Sequence, residues 1–460
     1  MSGNRKHVGL IGLLVVVLIF SACTSSSPQG VDTPVVRTVV VEKPVVETVI
    51  VEKEKTVEKV VTPTPEQVNL QVWYLSGSPE ELKLIEDYSN KFAAKHPGVT
   101  VTLSPYGFDD MNKTLKLALD SGTGPDVAYC SPGSIGHILY SKAGHLVELT
   151  NIMKERGWDQ RHPMDAIMYW NKELGGPIYG VPFDITNVGV FYNKDIFNKL
   201  GIKPPKTFEE FQALIAAVKS KGYTPFPAGG MDGWPFDHYF MILAHVAMPI
   251  EKIEDINFAR PTGNYADDGF IRAATILDDW IKKGYFNDNF LASSADDQSN
   301  LFITGKTAMN IAGTWNDFTF LQQTDFEVGF FPVPRVNPDI AWHSMITPNN
   351  VWILPKYTKH QELAIDYIDY MLGGDVAKAL WDSGDIPTFR FATVPEAKSS
   401  LQKEVYQVLN DTGIGYYFTT IPEVGEVEIT SLQSMAMGDL TPKQAMEKIQ
   451  EAYVKATSGK

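Results

Sequence analysis

Residues 70–129 switch repeatedly between two hydrophobic rhythms, and that alternation limits what the chain can fold into. Leu70-Gln71-Val72-Trp73-Tyr74 alternates with the period of a half-buried strand. Ser78, Pro79 and Glu81 then form a capping box for a helix with the face Leu82, Ile85, Phe92 and Ala93, ended by Pro97-Gly98. Val99, Val101 and Leu103 alternate again, 111–119 reads as a second helix, and Gly122-Thr123-Gly124-Pro125 turns into a third strand at 126–129. A β-α-β-α-β run predicts a mostly parallel sheet with helices on its faces. Ligands of such sheets sit at the carboxyl ends of the strands, here 75–78, 105–109 and 130–134.

The same grammar returns near residue 185. An apolar strand is predicted at 188–192, and Thr207 with Glu210 caps a helix whose face is Phe211, Leu214, Ile215 and Val218. Helices follow at 237–247, 269–282, 294–302 and 360–372, with strands at 308–311, 326–331 and 350–354. Two α/β lobes account for a chain of 460 residues that is 44% hydrophobic.

The first residues read as an address. Arg5, Lys6 and His7 precede an apolar run over 8–20, followed by Ser21-Ala22-Cys23, the pattern of a secretory signal. Phe20-Ser21-Ala22-Cys23 resembles the bacterial lipobox, with Phe20 where Leu is usual. The expectation is a signal peptide over 1–22 and a lipidated Cys23. Residues 23–67 repeat Val-Glu-Lys phrases broken by Pro28, Pro34, Pro44, Pro63 and Pro65, and after Cys23 they contain no Leu or aromatic residue. With nothing to build a core, they are expected to form an extended or disordered stalk. Pro44 and the β-branched excess argue against a coiled coil.

Composition removes several classes of function. With 55 acids against 40 bases the net charge is −15, which repels nucleic-acid phosphates. Two cysteines, Cys23 and Cys130, exclude four-Cys zinc sites and Cys-x-x-Cys redox pairs. Gly305-Lys306-Thr307 ends like a phosphate loop, but Asn300 replaces the glycine such a loop requires. His238 and His245, seven apart on one helix, read as structural, and no His-Glu-x-x-His or Gly-x-Ser-x-Gly motif occurs. No cofactor is expected.

Several stretches carry a family likeness. They are Tyr179-Gly180-Val181-Pro182, Phe191-Tyr192-Asn193-Lys194-Asp195-Ile196-Phe197, Leu200-Gly201-Ile202 and Pro205-Lys206-Thr207-Phe208-Glu209-Glu210-Phe211. Gly124-Pro125-Asp126-Val127, Phe302-Ile303-Thr304-Gly305-Lys306-Thr307-Ala308-Met309 with Gly313-Thr314-Trp315, and Phe330-Phe331-Pro332-Val333-Pro334 add to them. In this order they resemble the extracellular solute-binding protein family 1, the sugar-binding receptors of ABC importers related to the maltose-binding protein. The resemblance covers about 70–460. It implies a two-lobed periplasmic-binding-protein-like fold crossed three times by the chain, with lobe 1 at 68–184 and 332–372, lobe 2 at 185–331 and 373–460, and hinges near 184–188 and 331–335. It also implies a monomeric receptor, not an enzyme, which closes on a carbohydrate and delivers it to ABC permease subunits. Lipid on Cys23 would hold it on the extracellular face of the bacterial cytoplasmic membrane. A secreted glycoside-cleaving lipoprotein, a sensory solute receptor and a polyol-phosphate receptor are the alternatives; the last requires a basic cleft.

Sugar recognition needs aromatic rings for CH-rich faces and planar groups for hydroxyls. Trp315 follows Gly313-Thr314, where similar proteins carry an aromatic platform; Asp317 lies close behind. Asp184, with Thr186 and Asn187, is placed at the first crossing, for ligand contact or for hinge hydrogen bonding. Trp234 sits on the glycine-rich loop 229–235, with Asp237 beyond it for ligand binding or as a cap of the following helix. From lobe 1 the strand ends offer Ser76, Ser78, Tyr106, Asp109, Ser131 and Ser134. Trp342 and His343 stand in a polar loop, and Arg390 is placed as a forked donor or a lobe-closing ion pair. Asp126 is expected to bond backbone amides, and Trp73 to lie in the core.

Overall fold

The computed structural model describes residues 46–51, 55–60, 67–75, 79–171, 175–413, 415 and 421–458. They divide into two compact units, one ending at Thr64 and one running from Pro65 to Lys460. In the first unit Val46–Val51 and Lys55–Val60 pair antiparallel, Val46 opposite Val60. The expected stalk thus contains a β-hairpin: β-branched residues favour extended backbone, and two such runs can satisfy each other's amides. The expected signal sequence and Cys23 lie outside the described residues.

The second unit holds two five-stranded sheets. In the first sheet Val68–Leu75 is flanked in parallel by Val99–Tyr106 and Val127–Cys130. Helices Pro79–Lys95 and Phe108–Ser121 connect these strands, as the alternating rhythms predict. Glu80 and Glu81 in the first turn and Lys95 in the last complement the dipole of the first helix. Val351–Ile353 then pairs antiparallel with Val127–Cys130 on one side and with Val181–Pro182 on the other. Leu70, Val72, Ile85, Phe92 and Trp352 belong to the core of this lobe, closed by helix Gln361–Met371.

The second sheet is built differently. Its axis is the ten-residue strand Asp184–Asn193, paired antiparallel with Met309–Gly313, Val328–Phe331, Met345–Pro348 and Ile386–Pro387. The expected second parallel run is therefore corrected: the intervening helices return the chain against the one long strand. Gly189 allows this, because a Cβ there would stand 2.3 Å from the Phe330 ring. Thr207 caps helix Phe208–Ser220 as expected, and Ser294 forms a capping box with Asp297. Beyond 372 the sequence reading assigned no elements; there the structure has helices Gly374–Ser383, Ser400–Asp411, Pro422–Met437 and Pro442–Thr457.

Three passages join the sheets. The first falls between Pro182 and Asp184. The second lies between Pro348 and Val351, later than the expected 331–335, because Met345–Pro348 still pairs with the long strand. The third lies in Gly374–Pro387, beyond the expected 372/373 boundary. Val376 and Leu380 pack in the first lobe's core, while Trp381 packs with Phe191 and Phe320.

Candidate functional site

The three passages converge on Asp184. Its carboxylate accepts from the Tyr129 hydroxyl at 2.5 Å and from Asn349 Nδ2 at 2.8 Å. The Asn349 backbone amide donates to the Asp184 carbonyl at 3.1 Å. Tyr129 lies in the third strand of the first sheet, Val127–Cys130, and Asn349 lies in the second passage. The third passage arrives through the pairing of Pro387 with Asp184 and Ile386 with Ile185, which puts Asp385 beside the start of the long strand. Burial pushes the Asp184 carboxyl up to about 6 against those hydrogen bonds. Burial, with the Asp184 charge nearby, pushes Asp385 up to about 7. The hinge alternative for Asp184 thus has its hydrogen bonds.

Thr314 extends this seam. Its hydroxyl accepts from the Asn187 amide at 3.1 Å and lies 3.2 Å from that of Thr186. The turn it opens carries Trp315 and Asp317. Asp317 is buried, its Oδ1 has no partner, and burial with the Asp385 charge holds its carboxyl well above the usual range. The Trp315 ring folds back over Gly313, where a Cβ would lie 2.0 Å from Cζ3. It meets His238 at 5.6 Å and Trp234 at 6.4 Å between centroids, and Trp234 meets His238 at 5.3 Å. Trp234 is 39% exposed. Its backbone starts a helix immediately after Gly233, whose φ of 80° suits glycine. Burial lowers His238 to about 4, so it is a neutral ring at neutral pH.

From the first lobe, Tyr74 stacks on Tyr129 at 4.9 Å and donates to Glu81 Oε1 at 2.5 Å. Burial, and then Glu81, raises the Tyr74 hydroxyl far above its ordinary range. Tyr106 is half-buried and leans on Trp73 at 4.8 Å, so Trp73 belongs to a ring pair at the sheet's carboxyl edge as well as to the core periphery. Ser131 is fully buried with an unpartnered hydroxyl. Ser76 and Ser78 lie outside the described residues. Asp109 falls in helix Phe108–Ser121 and Ser134 in the turn Gly133–Ile135.

Other candidates stand apart from this cluster. Arg390 is exposed and has no ion pair among the described residues; its backbone amide, not its guanidinium, reaches Arg161 O at 2.8 Å. The ion-pair alternative is thereby corrected. Asp237 is not the helix cap. It is buried against Glu428, and burial and that second carboxyl keep it protonated far above the usual range. Trp342 and His343 pack on the 413–415 segment: the Gly413 amide donates to Trp342 O at 3.0 Å, and a Cβ at Gly413 would meet the His343 ring at 2.3 Å. Asn187 is buried, accepting from Ser344 at 2.9 Å with its own Nδ2 unpartnered. Asp126 accepts from the Gln71 amide at 2.9 Å, the backbone role expected of it. Sequence reasoning missed Tyr129, Asn349, Asp385 and His238 as parts of the cluster. Asp385 stood in the quoted Gly384-Asp385-Ile386-Pro387 turn, but nothing local marked it as facing Asp184.

Two sheets joined by three passages, with acceptors and rings collected where they meet, describe a two-lobed solute-binding protein. The chain belongs to the bacterial extracellular solute-binding protein family, whose pattern matches residues 77–378. It is similar to the maltodextrin-binding protein MdxE of Bacillus subtilis, 25% identical over 83% of this chain and 91% of that protein. It is also similar to the sn-glycerol-3-phosphate-binding periplasmic protein UgpB of Escherichia coli, 21% identical over 79% of this chain and 87% of that protein. Among solved structures, a chitin oligosaccharide binding protein superposes with a TM-score of 0.77 at 24% identity, covering 85% of this chain and all of that one.

Proposed function

We propose that this protein is an extracellular receptor that binds a carbohydrate between its lobes, closes, and delivers it to the permease of an ABC importer. The observation that carries this is the juxtaposition at the seam of Asp184, Asp385 and Asp317 with the Trp315–Trp234–His238 rings. Carboxylates accept from sugar hydroxyls and rings stack on sugar CH faces. Sheet and core membership support lobes at 67–182 with 351–380, and at 184–348 with 386–458. Because both halves of the site meet at the passages, a ligand bridging them would favour the closed arrangement, the signal a permease reads. The N-terminal pattern supports lipidation of Cys23 and attachment to the outer face of the cytoplasmic membrane. The homologous proteins named above support the importer role and the solute class. Catalysis is not part of this reading, since a receptor needs only differential affinity for its two states.

The test is a thermal-shift screen of the full chain against mono-, di- and oligosaccharides, with chromatography of the sugar afterwards. A ligand at a hundred times its Kd adds about 2.7 kcal/mol of stability. A stabilising sugar that is recovered intact, and whose effect is lost in Trp315→Ala, is the expected result. Recovery of cleaved sugar would move the reading to an enzyme, and no shift with any carbohydrate would refute it.

A further inference from the structure

Helix Pro422–Met437 buries a stripe that reads Val424, Glu428, Ser431, Leu432 and Met435. The spacing is that of an apolar face, with a glutamate where a hydrocarbon belongs. A carboxyl in such a place needs partners to offset its lost hydration. Glu428 is wholly buried, and Asp237 on helix Trp234–Ala247 is 5% exposed. The two carboxyls face each other, and the Tyr265 hydroxyl donates to Glu428 Oε2 at 3.1 Å. Asp237 Oδ1 has no partner among the described residues. Two buried carboxylates side by side cannot both ionise, so one proton lies between them. The Tyr265 donor favours the charge on Glu428, which leaves the proton on Asp237 and makes Asp237 the donor of the bond.

That bond is made in the first turn of the helix that Trp234 starts. The Asp237 amide closes the turn by donating to Gly233 O at 3.0 Å. The next residue, His238, carries the ring that meets both Trp234 and Trp315. Helix Pro422–Met437 grips the same turn twice more. A Cβ at Gly233 would stand 2.5 Å from Ile429 Cγ2, and Gln433 Nε2 donates to Gly230 O at 2.8 Å. We propose that Asp237 and Glu428 form a proton-bridged latch that positions the Trp234–His238–Trp315 platform, and that losing this proton in alkaline medium frees the turn and weakens solute binding. Both are positioning residues, acting through the rings. The effect on solute binding rests on the carbohydrate reading above, whereas the latch is read from the free protein.

The described titratable group facing the pair from another element is Tyr265, in the turn before helix Asp268–Lys282. Behind it the Tyr453 ring of the last helix lies at 5.8 Å, its hydroxyl donating to Asp255 O and Arg260 O. His238 and His245 share the helix of Asp237, and burial lowers them to about 4 and about 3, so both are neutral rings. On the segment leading to Tyr265, Arg260 is paired with Asp255 and Glu254, and Lys252 with Asp267. Burial and Glu428 hold the Asp237 proton far above the usual carboxylate range, so the latch is made at neutral pH. As pH rises the Asp237 proton passes to hydroxide, giving water. The donated bond is then lost, and two like charges face each other in the core.

The experiment follows the full chain from pH 7 to pH 9.5, a window that holds the ~8–9 at which buried glutamates titrate. Near-ultraviolet circular dichroism without sugar reads the packing of Trp234 on Trp315. Calorimetric titration reads affinity, with whichever of maltotriose, cellobiose, xylobiose, raffinose and N,N′-diacetylchitobiose binds tightest at pH 7. Two variants keep the bond but not its dependence on a proton. In Asp237→Asn the amide donates to Glu428 at unchanged total charge, and in Glu428→Gln the amide donates to Asp237 or accepts from it. The parent should show a reversible change in the tryptophan signal and a rise in Kd of about tenfold or more. In each variant that melts in one transition at pH 7, the signal should stay flat and Kd should move by less than about twofold. Should one variant not fold, the other decides. A parent signal flat to pH 9.5 overturns the latch, and so does an equal change in either variant. A signal that titrates in the parent alone while Kd stays fixed overturns the positioning of the platform. The same signal with no sugar bound at any pH upholds the latch and removes the carbohydrate reading.

Discussion

Replacing Asp385 by Asn tests the electrostatics of the seam without using a ligand. Asn keeps the shape and one carbonyl oxygen to accept from Ser383, which now donates to Oδ2 at 3.2 Å. What it removes is a carboxyl that burial and Asp184 push up to about 7. In an unfolded chain an aspartate titrates near ~3.9. A raised folded value means that this group's favourable contribution is complete below ~4 and is lost as pH climbs through about 7. At about 1.36 kcal/mol per pH unit, the raised carboxyl costs the fold about 1.5 kcal/mol at pH 5, where the folded chain holds a proton that the unfolded chain releases, and at most about 4 kcal/mol at pH 8. The uncharged amide would carry no such penalty, so the variant's advantage over the parent should widen by about 2.5 kcal/mol between pH 5 and pH 8. At roughly 2 °C per kcal/mol, that is about 5 °C of additional Tm difference. Differential scanning calorimetry of both proteins at pH 5, 6, 7 and 8, without added sugar, measures it. A Tm difference that stays flat across this range, or a variant less stable than the parent at pH 8, refutes the argument that the half-buried Asp385 lacks a counter-charge.

Gly313→Ala should act on the platform alone: its φ of −88° suits alanine, but the methyl would stand 2.0 Å from the Trp315 ring. The ring must swing away, so sugar affinity should fall at least roughly tenfold, about 1.4 kcal/mol, while Tm changes little; an unchanged Kd would show that Trp315 is not a ligand surface. Trp315→Ala should lose as much or more by calorimetry. Cys23→Ser should release the protein from the membrane fraction of producing cells into the soluble fraction, and continued membrane association would exclude lipid on Cys23 as the anchor.

Most of the first lobe could be read from the chain because its determinants are local. Residues 70–129 hold strand and helix periods with punctuation at Pro97-Gly98 and Gly122–Pro125, and the structure follows them closely. Thr207 and Ser294 cap helices because a side chain need reach only three residues ahead to do so. Trp315 and Asp184 could be singled out because each stands beside a recognisable stretch. The second sheet was less legible. Whether 309–313 and 345–348 run parallel or antiparallel to 184–193 depends on how far the intervening helices carry the chain, and no window of a few residues contains that distance. The passage at Pro348–Val351 was misplaced for the same reason: Met345–Pro348 looks like any short apolar run until its partner is known.

The sequence alone therefore determined the alternation of elements, the caps, the acidic balance and the inventory of rings and carboxylates, since these follow from side-chain chemistry and spacing along the chain. Tertiary structure alone decided that Tyr129, Asp184, Asn349 and Asp385, from four separate segments, share one partly buried hydrogen-bonded and electrostatic neighbourhood. Their raised carboxyl values are a property of that neighbourhood. Desolvation and like-charge proximity arise only when distant segments meet out of water.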